Sequence, residues 1–169
     1  MESQGVYNIA LLVCTVIGGI FAFFQWRRDI TMKRAKFIQQ IIEELRSGKE
    51  LSSIMYLLDY NPLWYDHNFH TSSIEPDVDR LLSCLNYICY MKSTNVISKK
   101  EFEALKYHVH RALVSPSSKT YLWNIFHFAK SNNTPCAFSY LIDYGIASAL
   151  LPAEFKTDKT LYTKVLNFN

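Results

Sequence analysis

The sequence is poor in glycine and proline, with five of each among 169 residues, whereas 25 residues are aromatic. Disordered chains and linkers show the opposite composition, so a largely disordered protein is excluded. Cysteine is also scarce. Cys84, Cys89 and Cys136 form no CxxC pair, and Cys14 lies in an apolar run. This pattern favours free, buried thiols over a zinc site or a disulfide framework.

Catalytic motifs are missing as well. The chain contains no GxGxxG, GxxxxGK[ST], GxSxG or HExxH pattern. His108 and His110 are two residues apart on a predicted helix and do not share a face. Asp66, His67 and His70 form a second cluster, either a loop metal site serving a membrane-bound hydrolase or nuclease, or polar surface residues. We favour surface residues, and we expect a protein without catalytic residues, metal or cofactor.

Formal charge is absent from Ser3 to Trp26, a run of 24 residues. About 20 residues of helix span the hydrocarbon core of a bilayer, so residues 1–26 are predicted to form a transmembrane helix. A cleavable signal peptide would have a basic start, a shorter apolar run and a small-x-small cleavage site. Here Glu2 precedes the run, while Trp26, Arg27 and Arg28 end it, as expected of an uncleaved anchor.

Charge also predicts the orientation. Five basic residues follow the apolar run within ten positions, so the positive-inside rule places the C-terminal part in the cytoplasm and the N-terminus outside. Without Glu2, the chain after the anchor carries 18 basic and 14 acidic residues, a net charge of about +4. Such a balance is only mildly basic and is not typical of a dedicated nucleic-acid-binding protein.

The pattern after the anchor predicts an all-α fold, a small cytoplasmic bundle of five or six helices. Residues 27–48 form a basic amphipathic helix, continuous with the anchor or separate from it, which stops at Ser47-Gly48. Residues 49–150 form the bundle, and residues 151–169 a tail with a weak strand pattern at Thr160–Phe168. Predicted helices cover Leu51–Tyr60 and begin at Glu75-Pro76, at the Ser98–Glu101 capping box, at Ser115-Pro116 and at Thr134-Pro135, the last closed by Gly145.

Most of the polar residues of the membrane helix fall on one face. A step of three then four residues along the helix defines a seam: Asn8, Leu11, Thr15, Gly18, Ala22 and Gln25. Small residues let helices approach closely, and amides avoid lipid. The seam either packs anchors together, with its amides at the headgroups, or lines a narrow pore in an oligomer of three or more copies.

The basic run after the anchor has two interpretations. Its members are Arg27, Arg28, Lys33, Arg34 and Lys36. They set topology and attract anionic lipid headgroups, or they form a positive ring that receives a polyanionic ligand. Aromatic residues near basic groups offer a further place for a nucleic-acid base, namely Trp123 with Lys119 and His127, or Trp64 with His67.

The plan of the chain resembles a known family. It consists of one span, an immediate Arg27-Arg28, a basic amphipathic helix and a small aromatic domain with the loop YNPLWYDHNF (60–69). It is similar to short bacterial single-span membrane proteins of prophage and anti-phage defence loci, in particular the channel-forming effector subunit of the Hailong system. The resemblance implies an inner-membrane homo-tetrameric channel. It further implies that a single-stranded oligodeoxyadenylate, made by a nucleotidyltransferase partner, holds the cytoplasmic part shut.

The sequence therefore leaves two alternative functions. In the first, an oligomer permeabilises and depolarises the inner membrane in abortive-infection defence, controlled by a ligand or partner of the cytoplasmic domain. In the second, the chain is a membrane-tethered scaffold with no channel activity. That scaffold would bind a cytoplasmic partner through an exposed groove or loop such as Leu63–Ser73.

Overall fold

The computed structural model describes residues 2–165, apart from the side chains of residues 2–6, 8–10 and 49. Its regular structure is entirely helical in that range. The six α-helices are α1 (Glu2–Ser47), α2 (Lys49–Tyr60), α3 (Glu75–Ser93), α4 (Lys99–Val114), α5 (Pro116–Ser131) and α6 (Ser139–Ala147). Short 3-10 helices cover Phe69–Thr71 and Ala153–Lys156. The chain divides into two compact units, Met1–Ile41 and Ile42–Asn169.

Helix α1 runs through the predicted end of the anchor without a break, so the continuous alternative is confirmed. The helix ends at the predicted stop. Gly48 donates its backbone N–H to the carbonyl of Glu44 over 3.1 Å and is the N-cap residue of α2. A Cβ at residue 48 would lie 2.4 Å from that same carbonyl oxygen. Only glycine allows so close an approach, which explains why the helix turns here.

The predicted starts of three helices in the second unit are confirmed. Ser98 Oγ accepts from the N–H of Glu101 over 3.3 Å, and the Ser98 N–H donates to the Glu101 carboxylate over 2.6 Å, a complete capping box. Ser115 caps α5, with proline at its first position, and α3 begins at Glu75 with Pro76 in its first turn. These signals involve residues within one turn of each other, so sequence alone predicts them.

Helix α3 lies at the centre of the bundle and packs against α2, α4 and α6. The helical spacing of its apolar residues predicts one buried stripe. That stripe is fully buried and comprises Val78, Leu81, Leu82, Leu85, Ile88 and Cys89. Burial raises the pKa of the Cys89 thiol to about 12, whereas Cys84 and Cys136 are half-buried. All three are free thiols, as the spacing predicts, but only Cys89 is also buried as expected.

The predicted start of the last helix at Thr134-Pro135 is wrong, because α6 begins at Ser139. Asn133 adopts a left-handed backbone with φ of 54°, and Thr134 donates its N–H back to the carbonyl of Ala129 over 2.9 Å. Such a backbone hydrogen bond closes a helix. Thr134 therefore belongs to the end of α5, and the chain remains irregular until Phe138, which is buried.

Gly145 does not close α6 either, since the helix continues to Ala147 and Ala149 takes the left-handed conformation. The reason for a glycine is packing. A Cβ at residue 145 would lie 2.7 Å from Cδ1 of Leu151, a buried side chain that folds back onto the helix. The missing side chain makes room for that leucine.

The tail shows no strand within the described residues. After the 3-10 helix Ala153–Lys156 the chain is irregular through residue 165. The coil alternative therefore holds for residues 160–165, and the last residues of the predicted strand, 166–168, lie outside the described residues.

Candidate functional site

The seam residues lie on one face of α1 in the first unit. Leu11, Thr15, Gly18, Ala22 and Gln25 are all exposed, and the side chain of Asn8 lies outside the described residues. Because the helix is unbroken, the spacing of three and four residues keeps these positions in one line. A Cβ at Gly18 would meet nothing within 4 Å. The seam is thus an exposed face of α1 that is open at Gly18.

This same helix is long and apolar enough to cross a membrane, on length and composition, and none of its most apolar window is buried. An apolar surface of this length exposed to water would be strongly unfavourable. The second unit differs in this respect, since its apolar side chains fill a core.

Thr15 has a specific hydrogen-bonding state. Its hydroxyl donates to the carbonyl of Leu11 over 2.9 Å. Since that bond uses the hydroxyl proton, the oxygen presents its lone pairs away from the helix backbone. An outward oxygen acceptor can coordinate a cation or accept from water, but it cannot donate to an anion.

The uninterrupted helix extends the seam beyond Gln25 to Asp29, which was not among the predicted site residues. Asp29 is exposed and, with Gln25, Arg28 and Met32, borders a shallow depression on α1. The sequence spacing could have identified Asp29, since it follows Gln25 by four residues and so continues the seam. It was missed because the five surrounding bases suggested only a positive patch.

The five bases of the basic run are exposed on α1. They do not share one direction. Positions 27 and 34 lie one heptad apart on the side of the helix away from the seam, whereas position 36 lies on the seam. The Arg27 guanidinium lies 5.9 Å from the ring centroid of Phe23, which places a cation beside an aromatic ring at the end of the apolar run.

The two proposed aromatic platforms for a nucleic-acid base are wrong. Trp123 is completely buried, with its ring 4.6 Å from that of His127, and Trp64 is buried against Phe69. Neither ring offers a free face for stacking. Exposure depends on the packing of distant segments, which composition does not reveal.

The loop Leu63–Ser73 likewise turns its aromatic side chains inward. Trp64, Tyr65 and Phe69 are buried and pack around Tyr121 of α5, with ring centroids 5.0 to 5.8 Å from its ring. The loop therefore belongs to the core of the bundle, and its exposed apolar surface is essentially Leu63.

The polar residues of this loop have structural partners. Asp66 accepts the N–H of Asn68 over 2.8 Å, and His70 Nδ1 lies 2.7 Å from the Glu75 carboxylate. His67 is exposed. Among the described residues, no group of three or more His, Cys, Asp or Glu side chains could hold a metal ion.

His108 and His110 point to different surroundings. His110 Nε2 lies 2.8 Å from the Tyr144 hydroxyl, whereas His108 is buried, and neither of its ring nitrogens has a hydrogen-bond partner among the described residues. Burial lowers the pKa of His108, and repulsion from Arg46 and Arg111 lowers it further. The ring is therefore held neutral in the folded protein.

Replacing His108 by phenylalanine is expected to stabilise the protein by about 1 kcal/mol, because it removes two unpaired buried polar atoms. The folded-state pKa is below the unfolded value, so the unfolded chain binds more protons and stability falls as pH drops below about 6.5. His108→Phe should reduce that loss, measured as the unfolding midpoint at about pH 7.5 and about pH 5.5. His67→Phe, at an exposed site, is the control, and a lower midpoint for His108→Phe would contradict the prediction.

A lysine-lined cavity lies beside α5. Its lining includes Trp123, Asn124 and His127 of α5 and, from the tail, Lys159 and Lys164. The sequence pattern around Trp123 and His127 suggested Lys119 as the nearby basic group. The two tail lysines were missed because they are more than thirty residues from His127 in the chain.

Comparisons of the chain with protein-family models, with curated proteins and with solved structures found no match. Its function is therefore inferred from its own residues and from the plan of the chain.

Proposed function

We propose that this protein is a homo-oligomeric membrane effector in which copies of α1 surround a narrow pore that depolarises the bacterial inner membrane. The seam supports the proposal most directly. A helix that only anchors a domain needs apolar residues all round, whereas this one aligns small and polar side chains from Thr15 to Gln25. The plan of the chain, similar to channel-forming defence effectors, supports the same function.

The proposed pore conducts cations. Thr15 contributes outward oxygen lone pairs, since its proton is donated to Leu11. Asp29 contributes a carboxylate at the end of the pore, one turn after Gln25, and rings of acidic side chains favour cations in channels. Arg27 and Arg34, on the side of α1 away from the seam, interact with anionic headgroups, whereas Lys36 lies on the seam beyond Asp29.

The second unit, in this proposal, is the cytoplasmic gate and carries out no catalytic step. The basic residues after the apolar run support this orientation, because the positive-inside rule favours such residues on the inner side of the membrane. A ligand or partner bound to the second unit would control the pore, by favouring the closed or the open oligomer through a difference in affinity. A tetramer is the assembly that the resemblance implies.

Exchanging residues 6–26 for an unrelated apolar span is expected to abolish depolarisation on induced expression, followed with a voltage-sensitive dye in bacterial cells. The matched control is an exchanged span that keeps the native residues at positions 8, 11, 15, 18, 22 and 25, and it should still depolarise the membrane. Depolarisation by the unrelated span would contradict a pore formed by α1.

A membrane-tethered binding module is the second candidate, favoured by the lysine-lined cavity beside α5. Such a module requires only that α1 hold the second unit at the membrane. It would keep its cellular effect after the span exchange, whereas a channel would lose it. The same experiment therefore separates the two functions.

A further inference from the structure

The cavity beside α5 has a volume of about 300 Å³ and is walled by two separate segments. Helix α5 contributes one wall, and the irregular tail after the 3-10 helix Ala153–Lys156 contributes Lys159 and Lys164. The volume lies at the lower end of the range for small-molecule sites in proteins.

Buried side chains hold the backbone that carries these lysines. The indole N–H of Trp123 donates to the carbonyl of Asp158 over 3.0 Å. The side-chain amide of Asn124 donates to the carbonyl of Thr163 and accepts from the N–H of Val165, each over 3.3 Å. The residues next to both lysines are therefore anchored to α5, so the backbone from which the two lysine side chains extend is held in place.

His127 adds an acceptor to this basic cavity. Its side chain lines the cavity and is only 7% exposed. Nε2 lies 3.2 Å from the carbonyl of Phe155, and because a carbonyl can only accept, this nitrogen carries the proton. Nδ1 is then a lone-pair acceptor, buried and without a partner among the described residues.

The neutral state of His127 agrees with its surroundings. Burial lowers its pKa, the hydrogen bond to Phe155 opposes that shift, and the positive charges of Lys130, Lys159 and Lys164 lower it further. A second proton on the ring would add a cation to a site that already has several. The cavity thus combines ammonium groups, which attract an anion, with a ring nitrogen that requires a donor.

We propose that this cavity binds a phosphate ester of mononucleotide size, with its phosphate between Lys159 and Lys164 and a hydroxyl or N–H of the ligand donating to His127 Nδ1. Ammonium groups bind phosphate strongly because the two form charge-assisted hydrogen bonds. Inorganic phosphate satisfies the lysines but leaves most of the cavity unfilled, and an uncharged nucleoside leaves the lysines unpaired. The site requires no pore and is independent of the function proposed for α1.

The test is isothermal titration calorimetry on the full-length protein in detergent, with adenosine and uridine 5′-monophosphates, the two nucleosides and inorganic phosphate. At least one monophosphate should bind saturably, about ten-fold or more tightly than its nucleoside or phosphate alone. The double variant Lys159→Gln, Lys164→Gln should weaken that binding by a similar factor. Lys99→Gln with Lys100→Gln removes the same charge at the start of α4, outside the cavity, and should bind like the unmodified protein.

A second measurement reports on His127 without changing it. In protein labelled with ¹⁵N-histidine, the His127 Nδ1 resonance should move when the monophosphate is added and remain in place with inorganic phosphate. Three outcomes would overturn the proposal. They are no saturable binding up to about 1 mM, unchanged affinity in the Lys159/Lys164 double variant, or an unmoved His127 resonance during saturation. Loss of depolarisation in the span exchange bears on none of these results, so the two proposals fail separately.

Discussion

Replacing Phe69 by alanine is expected to lower the midpoint of thermal unfolding by roughly 10 °C or more. Phe69 is 2% exposed, and its ring centroid lies 5.1 Å from that of Trp64 and 5.4 Å from those of Tyr65 and Tyr121. Truncation of a phenylalanine in a packed core costs about 3–5 kcal/mol, since it removes the apolar contact and leaves a cavity. Each kcal/mol lowers the midpoint of a domain this size by a few degrees.

The control for Phe69 lies in the same loop. Leu63 is 79% exposed, so Leu63→Ala removes a similar apolar side chain that contributes little burial, and it should change stability by about 0.5 kcal/mol or less. Both variants are compared with the unmodified protein by near-ultraviolet circular dichroism during heating in the same detergent. Equal midpoints for Phe69→Ala and Leu63→Ala would show that this loop is not part of the core.

The double variant Thr15→Leu, Gln25→Leu is expected to reduce ion flux by roughly ten-fold or more. It replaces the polar atoms of the proposed pore with apolar ones, and a hydrophobic constriction excludes water and ions. An added barrier of only about 1.4 kcal/mol lowers a rate ten-fold. Purified protein is reconstituted into vesicles that hold a potassium gradient. Ion flux is then followed as the change in membrane potential, reported by a voltage-sensitive dye.

The double variant Val16→Leu, Phe24→Leu is the control for where on the helix the leucines are placed. These substitutions place two leucines within one residue of the same positions, but off the seam, where both side chains are already apolar and exposed. Flux should remain close to that of the unmodified protein. If both double variants conduct equally, the seam lines no pore and serves at most to pack helices.

Sequence alone predicted those features that depend on neighbours within one or two helical turns. The capping box at Ser98, the proline start at Ser115, the stop at Gly48 and the buried stripe of α3 are of this kind. Each rests on a hydrogen bond or a periodicity between residues three to four apart. The alignment of Thr15, Gly18 and Gln25 also follows from periodicity, because α1 contains no break.

Features that depend on distant residues were missed or misassigned. Gly145 was predicted to end a helix, yet its role is to admit the side chain of Leu151. Trp64 and Trp123 were considered as exposed stacking faces and are buried. Local pattern cannot distinguish an aromatic residue that fills a core from one that faces solvent, because burial is set by which segments pack together.

The cavity beside α5 illustrates most clearly the difference between features set by local sequence and features set by tertiary contacts. The sequence by itself determined an all-helical chain with an apolar N-terminal helix, a polar seam and a basic run, since these are properties of composition and spacing. Tertiary structure alone decided that Asn124 meets Thr163 and Val165, 39 and 41 residues away, and so brings two tail lysines beside His127. Contacts over such separations arise only when the core folds, because no local energy term favours them before the segments are packed.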